Sequence, residues 1–175
     1  HFDRVRKYDY INDMNEDIVK QWNSVVTNND IVIFLGDMFM STPNNELIEQ
    51  FEIYYNLLNF KHMYMIHGNH DYNLFKRIKK SDKIYGRITL IDEFKEYSYL
   101  DIFHKDKHIL VQHYNYNIDD EVLGGYSNIL QERIDNNLSQ DIDYLLHGHT
   151  HLEEKTSKTS NNLIQIKICW EAWYK

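Results

Sequence analysis

Four short apolar runs in this chain end in the same way, and that repetition limits the fold more than any other feature. "IVIFL" (31–35) runs into Gly36-Asp37, and "MYMI" (63–66) into His67-Gly68-Asn69-His70-Asp71. "HILVQ" (108–112) runs into His113, and "IDYLL" (142–146) into His147-Gly148-His149-Thr150-His151. Apolar runs this short, bounded by turn residues, read as buried strands. A packed core has no use for a carboxylate, a carboxamide and several imidazoles in succession. Loops at strand ends do, because open α/β sheets gather their sites beyond the carboxyl ends of strands. The four loops are therefore expected to converge on one pocket.

Between the runs the text turns helical. Met14, Ile18, Trp22, Val25 and Val26 recur at helical spacing behind the candidate caps Asn12 and Asp13, and Thr27 to Asp30 is a turn cluster. Leu47, Ile48, Phe51, Tyr55 and Leu58 mark a second amphipathic helix. Residues 83–112 favour short strands, and Gly124-Gly125 precede a helix near 127–135. The closing "NLIQIKICW" alternates, with Ile164, Ile166, Ile168 and Trp170 on one face. Strands alternating with helices, then a run of strands, give an α/β layered domain. Nothing marks a second-domain boundary, so residues 1–175 read as one domain. The text opens on His1 without Met, which leads us to expect a further strand upstream.

Composition removes some function classes. No apolar run is long enough for a membrane span, and a net charge of −8 gives no general attraction to duplex nucleic acid. The run Lys76-Arg77-Ile78-Lys79-Lys80 is a local exception and reads as a solvated helix face. Cys169, the single cysteine, fits a buried thiol in a reducing, cytoplasmic setting.

The ligand types narrow the chemistry. Asp carboxylate, Asn carbonyl and His imidazole suit divalent ions such as Mn²⁺, Fe²⁺ and Zn²⁺. His149 and His151 lie two apart, so an extended backbone points both rings to one side. Asp37 can bridge two ions with its two oxygens, and a two-ion centre can drive in-line displacement at phosphorus. An imidazole outside the ligand set can protonate the leaving group. His70, with Asp71 as its orienting carboxylate, suits that role. His67 and His147 read as structural or as pocket rim, and His62, His104 and His108 as surface. Tyr72 and Tyr114 adjoin the motifs and are candidate substrate-lining residues.

Gly36-Asp37, Gly68-Asn69-His70-Asp71, His113 in "VQHYNY", and Gly148-His149-Thr150-His151 come in the order of the calcineurin-like metallophosphoesterases. The chain resembles that superfamily over nearly its whole length. "MNEDIVKQWNSVVTNNDIVIFLGD" and "ICWEAWYK" resemble its small, single-domain bacterial and phage members. The resemblance implies a four-layer αββα sandwich with the metal site at the C-terminal ends of strands. It implies two divalent transition metals, Mn²⁺ first, with Fe, Zn or Ni as other occupants. Asp37 would bridge them, Asn69, His113 and His149 would complete one shell, and His151 would bind the other ion. The family's first motif, Asp-x-His, does not occur near the start. His1 is either the end of that motif, with its Asp and strand upstream, or the His that follows it.

Other branches do not fit. "GDMFMSTP" carries no Asp-Arg-Gly segment and "GNHD" is not Gly-Asn-His-Glu, unlike protein Ser/Thr phosphatases. The expected activity is hydrolysis of a phosphodiester, or a phosphomonoester, in a small molecule or nucleotide. The alternatives are a nuclease acting on a single strand or with a partner, and a catalytically impaired metal-binding scaffold.

Overall fold

The first two apolar runs form neighbouring parallel strands. The computed structural model describes residues 8–39, 42–83, 85–91, 98–115, 142–149, 155–158 and 163–168. In it β1 (Ile31–Phe34) pairs with β2 (His62–Ile66), Ile31 beside His62 and Phe34 beside Met65. Parallel pairing needs a crossover of a dozen or more residues, and the stretch holding α2 (Leu47–Leu57) supplies it. Together with α1 (Ile11–Val25), α3 (Tyr72–Lys80) and β3 (Ile88–Ile91), these elements form a first unit, its sheet ordered β1-β2-β3. Phe51, Phe60, Met63, Met65, Leu74 and Phe75 are its core, none more than 2% exposed. Burying each such side chain contributes roughly 1.5–3 kcal/mol.

Helix α1 starts before its expected caps, at Ile11, and Tyr10 at the cap position makes no side-chain bond. The Tyr8 hydroxyl donates to Asp17, and Met14 N–H donates to Tyr10 O, so residues 8–10 are held against the helix and wind into it early. Further along, the Trp22 indole donates to Asn59 O at 2.8 Å. The Asn23 carboxamide donates to Leu57 O and accepts from Asn59 N–H, each at 2.8 Å. On α3, Leu74, Phe75 and Ile78 are buried while Lys76, Arg77, Lys79 and Lys80 face solvent, as expected of the basic run. No helix among the described residues is long and apolar enough to cross a membrane.

The second unit is a five-stranded sheet of order β4-β5-β6-β8-β7: β4 (Tyr99–His104), β5 (Lys107–Gln112), β6 (Tyr144–His147), β7 (Thr156–Lys158) and β8 (Ile164–Lys167). Leu110, Leu145 and Leu163 centre its core. Strands β5 and β6 run parallel with Gln112 beside His147, so the chain leaves both at one level. Gly148 N–H extends that ladder by donating to His113 O at 3.0 Å.

One expectation fails here, and β8 settles a point the alternation left open. β8 alternates, but its buried face is the polar one: Gln165 and Lys167 are 7% and 6% exposed, whereas Ile168 is 44% exposed. Alternation marks two faces without saying which is inward, and the register puts Gln165 and Lys167 beside the buried Leu145 and His147. His108 is buried rather than on the surface, because the β4–β5 register sets Phe103 opposite it. The two rings stack at 4.4 Å, and His108 Nε2 lies 2.7 Å from Asp101 Oδ1. The helix read near 127–135, the glycines before it, Cys169 and Trp170 lie outside the described residues.

Candidate metal centre

Beyond β1 the backbone turns left-handed twice, at Gly36 (φ +90°) and Asp37 (φ +58°). Glycine adopts this region freely, and Asp is among the few other residues that tolerate it. The turn is shaped by a second glycine. A Cβ on Gly36 would stand 2.6 Å from Gly68 N, and one on Gly68 would stand 2.6 Å from Asp37 N. The 35–37 and 66–69 loops thus touch backbone to backbone, which only this glycine pair permits. His149 is also left-handed (φ +59°). Each such residue costs about 1–3 kcal/mol unless its surroundings hold it.

The result is a cluster of donor atoms. His113 Nε2 lies 3.0 Å from Asn69 Oδ1, 3.2 Å from His149 Nδ1 and 3.3 Å from Asp37 Oδ2. His149 Nδ1 is 3.2 Å from Asn69 Oδ1. Among the described residues, Asp37, His113 and His149 form a group whose ligand atoms all lie within 4.8 Å of one another. Ligands at about 2.1 Å from an ion stand about 3.0 Å apart along an octahedral edge and about 3.4 Å apart along a tetrahedral one. The observed separations match that spacing.

The chemistry of the donors agrees. His113 Nδ1 is 2.6 Å from Leu35 O, a carbonyl that can only accept, so Nδ1 carries the hydrogen and Nε2 presents its lone pair to the cluster. Lone pairs from two oxygens and two nitrogens facing one another need a cation or protons between them. The residues present therefore fit a divalent ion.

Tyr114, expected to line the substrate, is 3% exposed and does not. Its ring packs edge-on against His113 at 4.8 Å and at a tilt against His149 at 5.1 Å, backing both imidazoles. Tyr72 is 49% exposed. His147 is buried, and its Nδ1–H donates to Gly148 O at 3.0 Å. Burial above all, then the charges of Lys167 and His113, push its pKa down to about 4, against the opposing pull of the Gly148 bond. His67 is buried too, its backbone N–H donating to the Ser98 hydroxyl at 2.8 Å.

Asn69 and His70 are exposed. Asp71, read as a partner for His70, is 1% exposed, and its Oδ1 accepts the N–H of Met38 at 3.0 Å. His1 and His151 lie outside the described residues. Sequence reasoning missed the Leu35 carbonyl, a backbone group that no residue type announces. It also missed the buttressing role of Tyr114, although its place directly after His113 was a signal.

The family model of the calcineurin-like phosphoesterase superfamily domain matches residues 13–166. The chain belongs to the calcineurin-like phosphoesterase superfamily. Membership implies a metal-dependent phosphoester hydrolase, and Asp37, His113 and His149 are a candidate triad for its metal. An uncharacterised Methanocaldococcus jannaschii protein is 39% identical over 70 residues, which are 38% of this chain. That match spans about a third (35%) of the archaeal protein's length. A crystal structure of an Aquifex aeolicus protein of unknown function superposes with a TM-score of 0.55 at 24% identity, covering 86% of this chain and 70% of that one. It shares the α/β fold of this chain. A Streptococcus pneumoniae protein named a predicted phosphoesterase gives a TM-score of 0.34 at 12% identity, covering 78% of this chain and 70% of its own.

Proposed function

We propose that this phosphoesterase is a phosphodiesterase whose first metal is held by Asp37, Asn69, His113 and His149. One observation supports this above all: donor atoms from four separate loops gather, with His113 Nε2 3.0–3.3 Å from Asn69, His149 and Asp37, and His149 Nδ1 3.2 Å from Asn69. Divalent ions, Mn²⁺ foremost and Fe, Zn or Ni as other occupants, supply Lewis acidity and an activated nucleophile at neutral pH. Asp37 and Asn69 give oxygens, and His113 and His149 give nitrogens. The second oxygen of Asp37, with His151 and His1, would serve a second ion. Leu35 O and Tyr114 lock the imidazoles, and His70, next in the chain to Asn69, donates the proton to the leaving oxygen. A diester carries a substituent on each side of phosphorus and needs an open rim, and Asn69 and His70 are both exposed. The substrate class is a small phosphodiester or nucleotide in a cytoplasmic setting.

The test is Mn²⁺-stimulated hydrolysis of bis(4-nitrophenyl) phosphate, faster than that of 4-nitrophenyl phosphate and absent in Asp37→Asn. Activity confined to phosphoserine peptides refutes it. A second reading, cleavage of single-stranded nucleic acid, draws support from α3. Exposed Tyr72 offers a stacking face, with Lys76 Nζ 5.9 Å from its ring centroid, and Lys80 continues that side of the helix. Lys76→Glu should then raise KM for an oligonucleotide and leave the aryl diester unaffected.

A further inference from the structure

Asp71 occupies the N-cap position of α3, where an aspartate ordinarily turns its carboxylate onto an N–H of its own helix. Here it makes no such bond, with φ −90° and ψ −8°. Its Oδ1 reaches back 33 residues to accept Met38 N–H at 3.0 Å. The side chain is 1% exposed, and Met38 directly follows Asp37, whose backbone is left-handed. A carboxyl group is thus buried, and its local cap forgone, to hold the peptide next to a proposed metal ligand.

We propose that Asp71 is a positioning residue: its carboxylate oxygen fixes the Asp37–Met38 peptide and so helps hold Asp37 in the left-handed conformation that presents its donor oxygen. This rests on the metal centre proposed above and assigns the side chain a task other than orienting His70. Because the 66–69 loop presses on Asp37 through Gly68, the turn is gripped at both ends, at Asp37 N by Gly68 and at Met38 N–H by Asp71. At Met38 N–H the geometry asks for an acceptor oxygen at one point. Asp71→Asn keeps an acceptor oxygen at the same reach without the charge, and Asp71→Glu keeps the charge but displaces the oxygen by a methylene.

The experiment is calorimetric titration of chelator-stripped protein with Mn²⁺ alone, with circular dichroism to verify folding. Asp71→Asn should bind Mn²⁺ as the unsubstituted chain does. Asp71→Ala and Asp71→Glu should bind roughly 10–100-fold more weakly, the usual effect of losing a group behind a ligand. If Asp71→Ala does not fold, the contrast between Asn and Glu decides. Equal affinity in all variants overturns the proposal. So does an Asn variant that keeps its Mn²⁺ affinity but loses turnover with a shifted pH profile, since the charge would then be acting on His70. An unsubstituted chain that binds no Mn²⁺ overturns the metal centre itself and this proposal with it.

Discussion

Replacing Gly68 by alanine tests the backbone contact that shapes the proposed metal centre. Its φ lies outside the left-handed region, so the conflict is steric alone. The new Cβ would stand 2.6 Å from Asp37 N and 3.0 Å from Asp37 Cγ, and would overlap Oδ1. Carbon contacts are comfortable at about 3.5–4.0 Å, so Asp37 must retreat by roughly 0.5–1 Å. The obstacle includes main chain, so the whole turn moves. Overpacking of this kind costs about 1–3 kcal/mol, and in a chain of this size each kcal/mol lowers Tm by roughly 2–4 °C. The metal is more sensitive, because ligand distances tolerate only about 0.2 Å. Thermal melts in EDTA should therefore fall by roughly 2–12 °C, and the rise on adding Mn²⁺ should vanish. Gly86→Ala is the control, since a Cβ there meets nothing within 4 Å. A Gly68→Ala protein with an undiminished Mn²⁺-dependent rise in Tm would refute the reasoning.

Acid sensitivity should follow His147. Its pKa is about 4 when folded against an ordinary 6.5, so the unfolded chain takes up the extra proton and stability is lost as pH falls from 6.5 toward 4. The full loss is about 3 kcal/mol, and urea midpoints in EDTA should fall less steeply over that range in His147→Gln; equal slopes would count against it. Arg87 donates to Phe60 O at 3.0 Å and Tyr55 O at 2.6 Å, its guanidinium lying over both rings at 4.2 and 4.5 Å. Arg87→Lys cannot reproduce that planar fork, so urea denaturation should show a loss of about 1–3 kcal/mol with Mn²⁺ affinity unchanged.

The strand ends were legible because "IVIFL", "MYMI", "HILVQ" and "IDYLL" are short apolar runs bounded by turn residues, although β1 is less buried than its composition suggests, with Ile31 64% exposed. The donor types after them announced a metal, and the structure gathers Asp37, Asn69, His113 and His149. The hidden features are those that residue type does not encode. The Leu35 carbonyl that sets the His113 tautomer is backbone, and the inward face of β8 depends on its partners' register. The early start of α1 arises from Tyr8 gripping Asp17, a contact nine residues apart that no cap rule anticipates. Tyr114 looked like a substrate residue because adjacency in sequence says nothing about which side of a ring is open.

The left-handed backbones of Asp37 and His149 set selection for robustness against selection for chemistry. At both positions glycine relieves the strain and deletes the donor. A variant library ranked by heat tolerance in the presence of chelator would therefore enrich glycine at 37 and 149, and its hardiest members would be the ones unable to hold metal.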